Sequence, residues 1–336
     1  MTKTRITYID IAKGILICCL LYGHMLIFAR IEGVSDSVMP IMQKSVKLYN
    51  TFFMQSFFFI TGFCSSFSKK FKIFLWGNVK SLIIPSVLMV LFSFYVQNLL
   101  FDKTHYVGPS PNLLSWLTLG GPWFILSLFW AKLFYWNIAK FTTRQQLITI
   151  GVLYLIGLVL NIINIIPNYC YHRHVFLMMA YLFVGNYCKN HMDTYNRWIT
   201  PLALFGVVSI VGQFIISQYV DFYTIPTHDA NIRINRTFYI HIINAISGTA
   251  FILWLSRKID HNHILETLGK GTLLVYLWNG LINRLVLNIL PSPVSEAVIM
   301  CVIYHASVYL LMLLLFYCLI RIIYDTKYLS WIVGKW

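Results

Sequence analysis

Residues 7–24 read TYIDIAKGILICCLLYGH, a stretch apolar enough to enter a bilayer that still carries Asp10, Lys13 and His24. An ionisable group at mid-membrane costs about 2.5–3.5 kcal/mol on insertion scales, so such residues are functional-site candidates by default. Helical geometry puts them along one side. At about 100° per residue, the step from Lys13 to His24 closes to within roughly 20° of three full turns. Asp10 lies one turn before Lys13. A polar seam therefore runs along one face of an otherwise apolar helix, and that face meets protein instead of lipid.

The rest of the chain agrees with a membrane setting. Its 336 residues are 58% hydrophobic, 17% aromatic and 11% charged, with a mean hydropathy of +0.70. Soluble domains carry about 25% charged residues. The composition excludes that class and predicts an all-α, polytopic integral membrane protein whose first partner is the lipid bilayer. The net charge of +15 reads as loop charge on the cytoplasmic side, and no nucleic-acid partner is expected. The first span lacks a small-residue cleavage site and is expected to remain as helix one. The seven cysteines include no CxxC pair, so they read as small buried residues and no metal site is expected.

With about 20 apolar residues per crossing, the pattern predicts ten transmembrane helices. They fall at 6–28, 49–67, 81–101, 121–140, 146–166, 174–189, 198–220, 237–256, 268–290 and 295–323. A basic segment at 69–80 reads as a separate interfacial piece. If the N-terminus is cytoplasmic, loops and span ends on that side hold clusters such as Lys69, Lys70, Lys72 and Lys80, or Arg257 and Lys258. The outer loops hold fewer cations, which predicts that both termini are cytoplasmic. Lys13 then lies in the inner half of the membrane and His24 about 16 Å further out. No linker or internal repeat is visible, so one domain over 1–336 is expected.

Residue chemistry leaves the seam with two readings. His24 is either a structural histidine bonded to a neighbouring helix or a proton acceptor, since imidazole titrates near neutrality. Lys13 either pairs with Asp10 at i, i+3 or draws an anionic ligand from the cytoplasm. Glu32 belongs to an outer loop whose polar groups suit a hydrophilic acceptor such as a sugar. Tyr276 and Asn279 share a helical face, and Arg284 lies at an outer depth; all three are candidates to face the same cavity as His24.

The spacing D-x-x-K-G-x9-H over Asp10–Lys13–His24 resembles the signature of the acyltransferase-3 family of membrane proteins. That family usually has arginine at the place of Lys13, so the charge is kept and the planar donor fork is lost. Four more segments match in order. FFMQSFFFITGF at 52–63 resembles the second-helix motif of the sugar O-acetylase (fucose-4-O-acetylase-like) branch, with Phe53 and Gln55 in place of its His and Pro. KSLIIP, from Lys80 to Pro85, is similar to the segment opening helix three. GPWFILSLFW, with Trp123, is similar to the segment opening helix four. LGKGTLLVYLWN at 268–279 resembles a late motif, with Thr272 for its Ser and Asn279 for its His.

The resemblance implies O-acylation of an envelope or exported glycan in the cell membrane of a bacterium, with a cytoplasmic acyl-CoA, above all acetyl-CoA, as donor. His24 would be the catalytic base or a transient acyl carrier, with Lys13 holding the donor and Asp10 orienting Lys13. Lys80 and Trp123 would join Lys13 in binding the coenzyme, although lysines at 69–80 suit anionic lipid as well. Glu32, Tyr276, Asn279 and Arg284 would bind the acceptor, a glycan or lipid-linked saccharide, in company with glycan biosynthesis or export machinery. The alternative is a polysaccharide or lipid-linked sugar export component, which needs no donor.

Overall fold

The computed structural model describes residues 6–29, 45–46, 49–100, 121–163, 171–216, 238–290, 298–326 and 329–330, and every regular element among them is helical. In chain order they are α1 (Thr7–Ala29), α2 (Phe53–Cys64), α3 (Phe71–Asn78), a π turn (Val79–Ile83), α4 (Ile84–Leu100), α5 (Trp123–Ile138), α6 (Thr143–Ile163), α7 (His172–Asn190), α8 (Met192–Ile216), α9 (Phe238–Ile259), α10 (His263–Lys270), α11 (Thr272–Ile289) and α12 (Val298–Asp325). Five stretches among the described residues are long and apolar enough to cross a membrane: Thr7–Leu26, Phe71–Leu100, Thr143–Leu160, Thr272–Ile289 and Ile299–Asp325. The chain is thus an all-helical, multi-pass membrane protein. It forms two compact units, one from Met1–Tyr49, Pro85–Gly108 and Leu255–Trp336, the other from Asn50–Ile84 and Pro109–Trp254.

In the first unit α1 is the inner helix. Ile11, Ala12, Leu16, Ile17 and Leu21 are fully buried on it, and 61% of its apolar window is buried. Two glycines set its contact with α10. A Cβ on Gly14 would lie 2.1 Å from the carbonyl oxygen of Leu265, and one on Gly269 would meet the Asp10 carbonyl even more closely. Only hydrogen fits at both places, so the helix backbones touch. Small residues give this approach in membranes, where lipid tails remove the hydrophobic drive between helices and packing must hold them. α12 closes the unit with a buried stripe of Cys301, His305, Val308, Met312, Phe316 and Ile320. Its opposite face, with Ile299, Ile303, Leu310 and Leu314, is exposed and apolar, as a lipid-facing surface is.

The second unit repeats the device. Gly62 on α2 and Gly185 on α7 cross so closely that a Cβ on either would lie 2.0 Å from a carbonyl oxygen of the other helix, Leu182 or Phe59. Around the crossing Phe59 and Phe63 stack at 6.3 Å, and Phe63 leans on Tyr195 at 5.5 Å. Phe58 is completely buried with its edge against Phe124. The Lys189 ammonium reaches past the end of α2 to the Ser65 carbonyl, where a cation offsets the negative end of a helix dipole. α6 lies outermost, with only 11% of its window buried.

Three expected elements take a different form. The basic segment at 69–80 is not separate: helix runs from Phe71 to Leu100 through the π turn. There the Ile84 N–H reaches back to the Val79 carbonyl, five residues away, just before Pro85, which has no N–H to give. The helix expected at 268–290 is two, α10 and α11, broken at Gly271, where a Cβ would strike the Ile320 side chain at 2.3 Å. The expected span at 49–67 holds a helix of 12 residues, about 18 Å by rise against a hydrocarbon core of about 30 Å.

Candidate functional site

α1 positions the site. Lys13 and His24 are half-buried on a face of α1 whose other members, Ile9, Leu16, Ile17 and Leu20, are buried, so the seam lies against protein. Lys13 Nζ lies 3.6 Å from Asp10 Oδ1, with the carboxylate side chain 5% exposed and the lysine 27%. Burial of Asp10 without that cation would be costly, and the i, i+3 register provides it within one turn. The ammonium keeps an open side on which an anion can dock.

α10 fixes the same turn from outside. Gly269 sits on the Asp10 carbonyl and Leu268 beside it is buried, so the LGKG segment of the late motif packs onto the D-x-x-K-G turn of the first. Asn262 caps α10 by accepting the Leu265 N–H at 3.0 Å, while the Glu266 carboxylate accepts from the Asn262 N–H. Glu266 also lies 4.0 Å from Lys270. Asp260, at φ 58°, makes the left-handed turn that leads from α9 into this cap. The last turn of α9 brings Arg257 over the Tyr8 ring at 4.7 Å, with an N–H to the Tyr8 hydroxyl at 3.4 Å. The N-terminal end of α1 is therefore ringed by Lys13, Arg257 and Lys270 against Asp10 and Glu266.

Toward the other end of α1 the surroundings are aromatic. Tyr22 meets Tyr309 edge-on at 5.9 Å and Tyr49 at 6.5 Å, and its hydroxyl pairs with Ser45 at 3.0 Å. Tyr309 donates to the Cys18 carbonyl. A Cβ on Gly23 would meet the Tyr49 hydroxyl at 2.6 Å, so the tyrosine cluster packs on α1 at the residue before His24. Lys13 and His24 do not touch; helical rise separates them by about 16 Å.

The geometry describes a membrane helix with an ion pair at one end and, at the other, His24 next in sequence to a turn on which a tyrosine cluster packs. The sequence model of the acyltransferase-3 family, described as an acyltransferase domain, matches residues 6–321. The chain belongs to that family. No curated protein and no solved structure matches it. Family and apolar helices together make the protein a multi-pass membrane acyltransferase, and the match takes in α1, α10 and both glycine crossings.

The remaining expected residues of this acyltransferase are spread over both units. In the first, Asn279 turns its amide back to the Tyr276 carbonyl at 2.6 Å, so the pair is linked through the helix itself. Arg284 donates to Gln97 Oε1 at 3.4 Å, and Gln97 donates on to Ser93 at 3.0 Å, a polar relay from α11 to α4. Trp278 stacks on Phe92 at 4.9 Å beside it. In the second unit, Lys80 lies in the π turn with Nζ 5.4 Å over the Trp76 ring, and Trp123 packs 5.0 Å from the buried His174 ring. Glu32 lies outside the described residues. Sequence reasoning missed Tyr22, Tyr49, Tyr309, Arg257 and Gln97. Arg257 had a signal, as a cation at the end of a span; the tyrosines had none, because nothing in an apolar run marks which tyrosines meet.

Proposed function

We propose that this acyltransferase moves an acetyl group from cytoplasmic acetyl-CoA to a sugar hydroxyl of a cell-envelope or exported glycan. The observation that carries the reading is the seam of α1: the Asp10–Lys13 ion pair, clamped by the Gly14·Gly269 crossing, on the same helical side as His24. Lys13 and its neighbouring cations hold the pyrophosphate of the donor, and Asp10 orients Lys13. The long pantetheine arm then extends along the helix toward His24, which suits two groups held a membrane leaflet apart. His24 takes the proton of the sugar hydroxyl as its oxygen attacks the thioester carbonyl. The C–S bond breaks, the coenzyme leaves as its thiol after protonation, and an O-acetyl ester remains on the sugar. Tyr276, Asn279 and Arg284 orient the acceptor.

The test uses purified full-length protein, acetyl-CoA and glycan isolated from cells lacking the protein. Mass spectrometry should find acetylated sugar with wild type and none with His24→Ala, both proteins being monodisperse and binding donor equally. Undiminished transfer by His24→Ala sinks the base assignment. Acyl content that is the same in cells with and without the protein sinks the glycan acceptor.

A further inference from the structure

Away from α1 the second unit contains an open cleft of about 620 Å³, mouth included, walled by α2, α7, α8 and α9. Its wall is almost wholly apolar. Phe59, Val184, Leu202, Ala250 and Leu253 contribute carbon, and the threonine hydroxyl among them is already used. That hydroxyl, on Thr249, donates to the Ala245 carbonyl at 2.6 Å and pairs with Ser56 at 2.8 Å. Water gains few partners on such a wall. A hydrocarbon chain gains dispersion contacts on every side.

The cleft has a direction. It runs along α7 from Tyr181 to His191, ten residues or about 15 Å of helix. That is half of a hydrocarbon core of about 30 Å, the depth of a single leaflet. Its rim on the bilayer side is made by Trp198, 52% exposed, and Ile246, 39% exposed. Its polar end is the α7–α8 turn, where the Tyr187 and His191 rings stack at 4.1 Å. The exposed Arg197 stands near that turn with Asp193, and the positive end of the α8 dipole adds to its charge.

We propose that this cleft binds one acyl chain of an anionic phospholipid, with the chain along α7 and the head group at the α7–α8 turn. The apolar wall selects a chain, the leaflet-deep length sets its orientation, and the Arg197 end selects negative charge. The site is independent of the acyl-transfer reading and stands or falls apart from it.

The test uses the full chain in nanodiscs containing a phosphatidylglycerol with a diazirine in its tail. Photolysis should concentrate label on peptides of α7, α8 and α9 that line the cleft. Ala250→Trp, which fills it, should cut that label at least tenfold, and Arg197→Gln should remove the preference over phosphatidylcholine. Cys188, half-buried in the wall, gives a reading without any substitution: phosphatidylglycerol should slow its alkylation by an apolar maleimide. Label spread evenly over the lipid-facing helices and unprotected Cys188 would overturn the proposal. So would equal labelling by phosphatidylcholine, or displacement of the lipid by a long-chain acyl-CoA, which would make the cleft a donor-chain site.

Discussion

The crossing of α1 with α10 and the crossing of α2 with α7 solve one packing problem in the same way. In each, a glycine on either helix lies where a Cβ would enter the other helix's carbonyl. Their surroundings differ. Gly62·Gly185 is wrapped in phenylalanine and has a single cation, Lys189, closing a helix end. Gly14·Gly269 is wrapped in charge, with Asp10 and Lys13 on the clamped turn and Glu266 and Lys270 on the helix that clamps it. Close backbone approach is thus a structural device in both units. In the first it holds an acid–base pair on the clamped turn itself.

The largest expected effect tests the functional side of that contrast. His24→Ala should lower transfer by about 10²–10⁴-fold, the usual worth of a positioned acid–base group, with an unchanged melting profile. A fall of less than tenfold in single-turnover transfer would make His24 structural and the two crossings equivalent. Next come the glycines. Gly269→Ala and Gly62→Ala should each destabilise by about 1–3 kcal/mol, since overpacking moves backbone in both, read as a lowered Tm in detergent. Gly269→Ala should also raise the KM for donor, and Gly62→Ala should leave it unchanged. Equal KM values would remove the link between clamp and donor grip.

A smaller effect is expected at Lys13. Lys13→Gln should weaken donor binding by calorimetry roughly tenfold, and Lys13→Arg should retain or improve it, because arginine keeps the charge and adds a fork of donors. If glutamine binds donor as lysine does, the ion pair serves Asp10 alone. The smallest is Asn262→Ala, which removes the α10 cap and should cost about 1 kcal/mol, with a slight loss of transfer through the clamp. Chemical unfolding that matches wild type would show that α10 is held by its glycine contact without the cap.

Much of α1 was legible beforehand. Period alone aligned Lys13 with His24 and spaced Asp10 for an ion pair, because a helix repeats every 3.6 residues whatever surrounds it. The membrane class followed from charge content. Legibility stopped where a feature depends on a distant partner. Gly14 and Gly269 are separated by most of the chain, and nothing local says that they meet. The helix through 71–100 was hidden because lysines at 69–80 look interfacial, while the π turn that lets backbone pass Pro85 leaves no mark in hydropathy. The break at Gly271 was hidden for the opposite reason: LGKGTLLVYLWN is apolar enough to read as one span.

The sequence by itself determined a chain of membrane helices with a polar seam on the first, since insertion cost and helical period are properties of residues taken a turn at a time. Only the tertiary structure decided that the late LGKG segment clamps the Asp10–Lys13 turn and that Tyr22, Tyr49 and Tyr309 gather against one side of α1. It also decided that a leaflet-deep cleft opens along α7. Those features arise where helices distant in sequence meet. Van der Waals contact at such a meeting depends on which side chains are absent as much as on which are present, and no local pattern records that.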